Sequence, residues 1–132
     1  MIKKDWTEEY LIELMKYNNI LKGIPAESRI QRIEVLSKQL VLIGKLAAEF
    51  SERYKRIYAT RKRVHAEAYI QATRNKAAEA ELAIIELREE EAEAYGHMKR
   101  WTNAFDSTKE EINALKYKVR IDIEDGSNRS GA

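Results

Sequence analysis

Apolar positions recur at steps of three and four residues along most of this chain. Trp6, Tyr10, Leu14, Tyr17 and Leu21 form the first run, with Leu11 and Met15 beside it, and predict an amphipathic helix over about 7–22. Thr7 suits the cap at its start, although Tyr10 and not Glu stands three residues on. Gly23 suits the left-handed backbone that often ends a helix, and Pro25 the first turn of the next one.

From Ile33 the alternation becomes strict: Ile33, Leu36, Leu40, Ile43, Ala47, Phe50, Tyr54, Ile57, Arg61, Val64 and Ala68. A second series runs Ala77, Ala80, Ile84, Leu87, Glu91, Ala94, Met98, Trp101, Phe105, Thr108, Ile112, Leu115 and Val119. The two do not share a register. Extending the first by sevens from Ala68 reaches residue 75, whereas the second begins at Ala77. One uninterrupted helix would keep its stripe, so the break at "ATRNKAA" predicts a turn. Asn75 there tolerates left-handed backbone or can cap the following helix. The competing reading is a single very long helix with a local stutter.

The expected fold is therefore all-α: a short N-terminal helix over 7–22, then a long antiparallel coiled-coil hairpin with helices over 26–73 and 76–120. Together they form one domain, 1–124, with a Gly/Ser-rich tail, 125–132, expected to be disordered. Tyr117, Val119, Ile121 and Ile123 alternate as a strand would, which leaves open a short strand pairing with another chain.

Each stripe contains one charged residue, Arg61 in the first and Glu91 in the second. Folding back near 74–77 brings them to the same layer or neighbouring ones, where an ion pair would relieve two otherwise costly seam charges. Such polar seam residues fix register. The segment "RYKRIYATRKRVH", residues 53–65, would then lie against Glu86, Glu89, Glu90, Glu91 and Glu93. Ordinary charge pairing along the seam accounts for the basic run. A nucleic-acid surface, using Arg53, Lys55, Arg56, Lys62, Arg63, Arg74 and Lys76, is the alternative, and an acidic protein partner a third.

Composition narrows the chemistry. The 132 residues are 35% charged, yet the net charge is only +2, so any electrostatic role rests on local patterning. No cysteine excludes disulfides, thiolate metal sites and thiol nucleophiles. His65 and His97 lie in no metal-binding pattern. Gly23, Gly44 and Gly96 make no phosphate loop, and Gly44 and Gly96 read as points of close helix approach. No active site, cofactor or small-molecule substrate is expected. Neither a signal peptide nor a membrane-spanning run is legible, so a cytoplasmic protein is expected.

Apolar residues also lie off the stripes. Val35, Val41, Leu42 and Leu46 offer a second face on which the first helix can bury Trp6, Tyr10, Leu14 and Leu21. At the turn end, Tyr69, Ile70, Leu82 and Ile85 gather as a candidate protein contact. Self-association into a four-helix homodimer would bury more of this surface.

The second half of the chain, from "RKRVHAEAYIQATRNKAAEAELAIIELREE" to "KRWTNAFDSTKEEINALKYKVR", resembles small helical proteins encoded by tailed bacteriophages and prophages of low-GC Gram-positive bacteria. The resemblance implies a phage accessory protein, from a group whose genes sit among those for recombination and replication. It brings no catalytic motif with it. The function expected is a non-enzymatic protein-interaction module, an adaptor or inhibitor of a host or phage protein. The alternative is an accessory nucleic-acid binder in recombination or replication.

Overall fold

The computed structural model describes residues 5–130, with side chains described as far as Gly126. Four helices follow one another: α1 (Thr7–Lys22), α2 (Arg29–Gln71), α3 (Lys76–Ala83) and α4 (Ile85–Ser130). No strand occurs among the described residues.

The helix ends differ from expectation in instructive ways. Trp6, not Thr7, is the N-cap of α1, and it makes no side-chain cap bond. Asp5 supplies the missing acceptor instead, its Oδ1 taking the Thr7 N–H at 2.9 Å. Gly23 is right-handed, at φ −88° and ψ −4°. Its N–H donates to Ile20 O and the next N–H to Leu21 O, at 3.1 Å each, so the last turn tightens without a left-handed residue. Pro25 lies in the connecting turn, where its carbonyl accepts from Ser28 N–H; α2 begins four residues after it.

At the reversal, Asn75 adopts the left-handed conformation, φ 46° and ψ 53°, and its carbonyl accepts the first bond of α3 from Glu79 N–H. A short polar side chain makes that region accessible. Where one continuous second arm was expected, Ile84 interrupts it. Its φ of −114° leaves the helical basin, and its N–H reaches back only three residues, to Glu81 O. The side chain of Ile84 is wholly buried. At the other end α4 continues past the expected stop near Arg120, through the alternating residues 117–123, to Ser130. Gly126 weakens a helix without breaking it, and no proline intervenes. The last two residues of the expected tail lie outside the described ones.

The chain divides into two compact units, and both α2 and α4 contribute to each. The first contains α1, α2 as far as Leu46 and α4 from Thr102. Its core is Leu36, Leu42, Ile43, Leu46 and Ile112. Gln39, Leu42 and Leu46 are buried on α2 at helical intervals, with Val35 half-buried beside them, and Gln39, not the expected Val41, bonds to α1. Val41 points away and is 59% exposed. Gln39 is buried, and its amide donates to the Asn18 side chain and to Leu14 O. Arg32 caps the end of α1, donating to Leu21 O and Ile24 O. Trp6 stays 43% exposed and stacks on Tyr10 instead of entering the core. Arg29 binds Asp122 and Lys118 O, joining the start of α2 to α4.

The second unit, Ala47–Trp101, is the turn end of the hairpin. Here α2 and the following helices run antiparallel: Phe50 stacks on Trp101, and Arg61 meets Glu91. Ala80, Ile84 and Ala94 are its buried apolar side chains. No helix among the described residues is long and apolar enough to cross a membrane.

The two helical glycines part company. A Cβ at Gly44 would meet the Phe105 ring at 3.3 Å, a close approach within the first unit. At Gly96 it would meet nothing within 4 Å, so no neighbouring helix requires that glycine. Gly96→Ala should raise stability by about 0.5–1 kcal/mol through helix propensity alone. Gly44→Ala should gain less, because the ring must shift. Urea denaturation midpoints of the two variants check the order.

Candidate functional site

The second unit brings together most of the residues to which the sequence points. Its seam is covered as the spacing requires, from Phe50 through Ala68 on α2 and from Ala80 through Trp101 on α3 and α4. Phe50 lies parallel to Trp101 at 6.3 Å and touches His97 at 5.4 Å, and Tyr54 tilts against Tyr95 at 5.4 Å. Between these rings and the turn, Arg61 Nε donates to Glu91 Oε2, with Nη2 at 3.5 Å from Oε1. Both side chains are mostly covered, 19% and 17% exposed.

Charge pairing along the seam is otherwise sparse. Besides Arg61–Glu91, His65 Nε2 meets Glu81 Oε1 between opposed helices of this unit, at 3.3 Å. Arg56 turns to Glu52, Arg63 to Glu67 and Arg88 to Glu81, each on its own side of the turn. Arg56 and Arg63 therefore do not take part in the expected wall of basic residues against acidic ones. Arg56 and Arg63 find partners one helical turn away and Arg88 two turns away, where the helix already sets the spacing.

Helical phase explains where the remaining charges go. At about 100° per residue, steps of seven and four keep residues on one side. Glu81, Arg88, Tyr95 and Lys99 follow such steps along α3 and α4; Tyr58, Lys62, His65 and Tyr69 do so along α2. The His65–Glu81 contact shows that these two rows border the same face. A shallow groove of ≈ 320 Å³ opens there, lined by Tyr54, Arg61, Arg88, Glu91, Ala92 and Tyr95. Glu86, Glu90 and Glu93 fall on the opposite side of α4, as Arg56 and Arg63 do on α2.

The cationic candidates thus separate. Lys55 and Lys62 belong to the first face. Lys76 joins them by reaching over the Tyr69 ring at 5.7 Å. Arg53 lies over Phe50 at 5.1 Å, and Arg74 is exposed in the turn. Arg88, Tyr95 and Lys99 were not singled out from the sequence. The signal was present: Tyr58–Lys62 and Tyr95–Lys99 repeat one four-residue spacing, and each lysine sits over its tyrosine, at 4.9 and 5.7 Å.

The apolar candidates at the turn end are all exposed: Tyr69 47%, Ile70 74%, Leu82 66% and Ile85 48%. They do not make one patch. Tyr69 and Ile85 border the tyrosine–lysine face, whereas Ile70 and Leu82 point outward from their own helices, giving a collar around the turn. Among the described residues no three His, Cys, Asp or Glu side chains converge as metal ligands.

Comparison with protein families, with curated proteins and with solved structures returns no match.

The seam pair makes a clear prediction. Glu91→Leu leaves the Arg61 guanidinium without its partner in a mostly covered site and should cost about 1–3 kcal/mol. Arg61→Leu with Glu91→Leu should recover most of that loss, since two apolar side chains then meet in the layer. Thermal or urea unfolding of the two single variants and the double variant measures the coupling.

Proposed function

We propose that the protein is a non-enzymatic interaction module that acts by binding another protein, as an adaptor or an inhibitor. The observation that supports this is its unused apolar surface. Among the described residues eight hydrophobic side chains are buried, while fifteen large ones remain exposed, from Ile12, Met15 and Ile20 on α1 to Ile123 on α4. Apolar groups left in water at this ratio gain by covering, at about 25 cal/mol for each Å² removed from solvent.

The collar of Tyr69, Ile70, Leu82 and Ile85 is the surface assigned to the partner. It stands on the Asn75 reversal and presents side chains from both sides of the turn. A second copy of the chain is a further occupant for exposed faces, which makes the working form a homodimer. The resemblance to small phage proteins supports a partner that is a phage or host enzyme in the bacterial cytoplasm.

The test is affinity capture from extracts of infected and uninfected Gram-positive cells, with each captured protein confirmed by direct binding. Ile70→Glu with Ile85→Glu should abolish capture, and Arg56→Glu with Arg63→Glu should leave it intact. The reverse outcome would move the function to the charged arm. Sedimentation equilibrium should return twice the 15.4 kDa chain mass; a monomer at micromolar concentration would remove the homodimer from the reading.

A further inference from the structure

We infer that the tyrosine–lysine face of the hairpin's turn end is a stacking platform for single-stranded nucleic acid. This goes beyond protein binding through the collar and does not depend on it.

Three tyrosines carry the argument. Tyr58, Tyr69 and Tyr95 are 39%, 47% and 45% exposed, and a lysine Nζ stands over each ring, at 4.9, 5.7 and 5.7 Å. Aromatic rings interleaved with mobile cations are what a single strand requires, because every base has a face to stack and every nucleotide a phosphate. The lysines can swing from ring to phosphate, which leaves the rings of Tyr69 and Tyr95 to a base. At Tyr58 the Arg61 guanidinium, held by Glu91, also lies over the ring at 5.2 Å, so a base there stacks on the part of the ring that Arg61 does not cover. Lys62, Lys76 and Lys99, with Lys55 beside them, form no ion pair among the described residues and are free to do so.

Segregation of charge supplies the second argument. On this face the carboxylates are already engaged, Glu91 by Arg61 and Glu81 by Arg88 and His65. Glu86, Glu90 and Glu93 lie on the other side of α4, where they do not repel a phosphate chain. The near-neutral net charge of the chain therefore conceals one face with a local positive excess. A duplex keeps its base faces stacked on one another and cannot use the rings, so the face selects single strands.

Fluorescence anisotropy of the full chain with a labelled oligothymidylate of about 20 nucleotides tests this at 50 and 200 mM salt. With four phosphates neutralised by the four lysines, affinity should fall roughly 50-fold between the two salts. A duplex of equal length should bind more weakly than the single strand. Tyr58→Leu and Tyr95→Leu, each checked for retained helix content, should weaken single-strand binding at least about fivefold per ring. Lys62→Glu with Lys99→Glu, which leaves the rings in place, should abolish it. Arg56→Glu with Arg63→Glu, on the opposite face, should leave it unchanged. No binding at 50 mM salt would overturn the inference, as would equal affinity for duplex or equal loss in the opposite-face variant. Displacement of the oligonucleotide by polyglutamate at the same charge concentration as by unlabelled oligothymidylate would also overturn it, reducing the face to a general polyanion surface.

Discussion

The turn end of the hairpin depends on one backbone conformation, the left-handed residue at Asn75. Reversing the chain at that residue decides which side chain of α2 meets which side chain across the seam. Arg61 and Glu91 lie nearly the same number of residues from it, as do Phe50 and Trp101, and both pairs are in contact. A reversal displaced by one residue would turn one helix by about 100° relative to the other. Each charge would then lie beside an apolar neighbour, and the tyrosine rows would no longer border one face. The ion pair and the turn thus specify the same register from two directions, one through the price of an unpaired charge and the other through backbone geometry.

Much of this was legible in the spacing. The bounds of α1 follow from its apolar run, and the jump in register between Ala68 and Ala77 located the reversal. What escaped has identifiable causes. Gln39 is polar and so was passed over as a docking residue, yet Asn18 and Leu14 satisfy its amide. The interruption at Ile84 leaves no mark on the pattern, because Ala80, Ile84 and Leu87 keep their three- and four-residue steps through it. The tail alternates like a strand, but in the structure α4 simply continues through it. Charge was the least legible property. A count of basic and acidic residues in opposed segments suggested mutual pairing, whereas phase divides the basic residues between two faces, and Arg56 and Arg63, on the same side as Glu86, Glu90 and Glu93, pair within their own helix.

The two surfaces use different physics. The collar offers apolar area, and a partner bound there would gain from dehydration and tolerate salt. The tyrosine–lysine face offers ring planes and charge, and a single strand held there would loosen as counterions compete for its phosphates. Tyr69 and Ile85 lie where the two adjoin, so occupants of both would come within reach of each other. A chain with so few buried side chains can hold such contrasting surfaces because its seam needs little of the outer circumference of either helix.

The break at Ile84 bears on how the turn end is held together. It shortens one step of the backbone ladder, Ile84 N–H bonding to Glu81 O, and leaves α3 as eight residues bounded by Asn75 on one side and a helical fault on the other. A helix that short does not hold itself together in water. Its order rests on two buried side chains, Ala80 and Ile84. The turn and α3 are therefore the part of the hairpin that depends least on its own backbone bonds and most on the packing around it. The least self-supporting helix of the hairpin thus lies beside its most exposed apolar residues, so a partner covering the collar would also supply burial that α3 lacks.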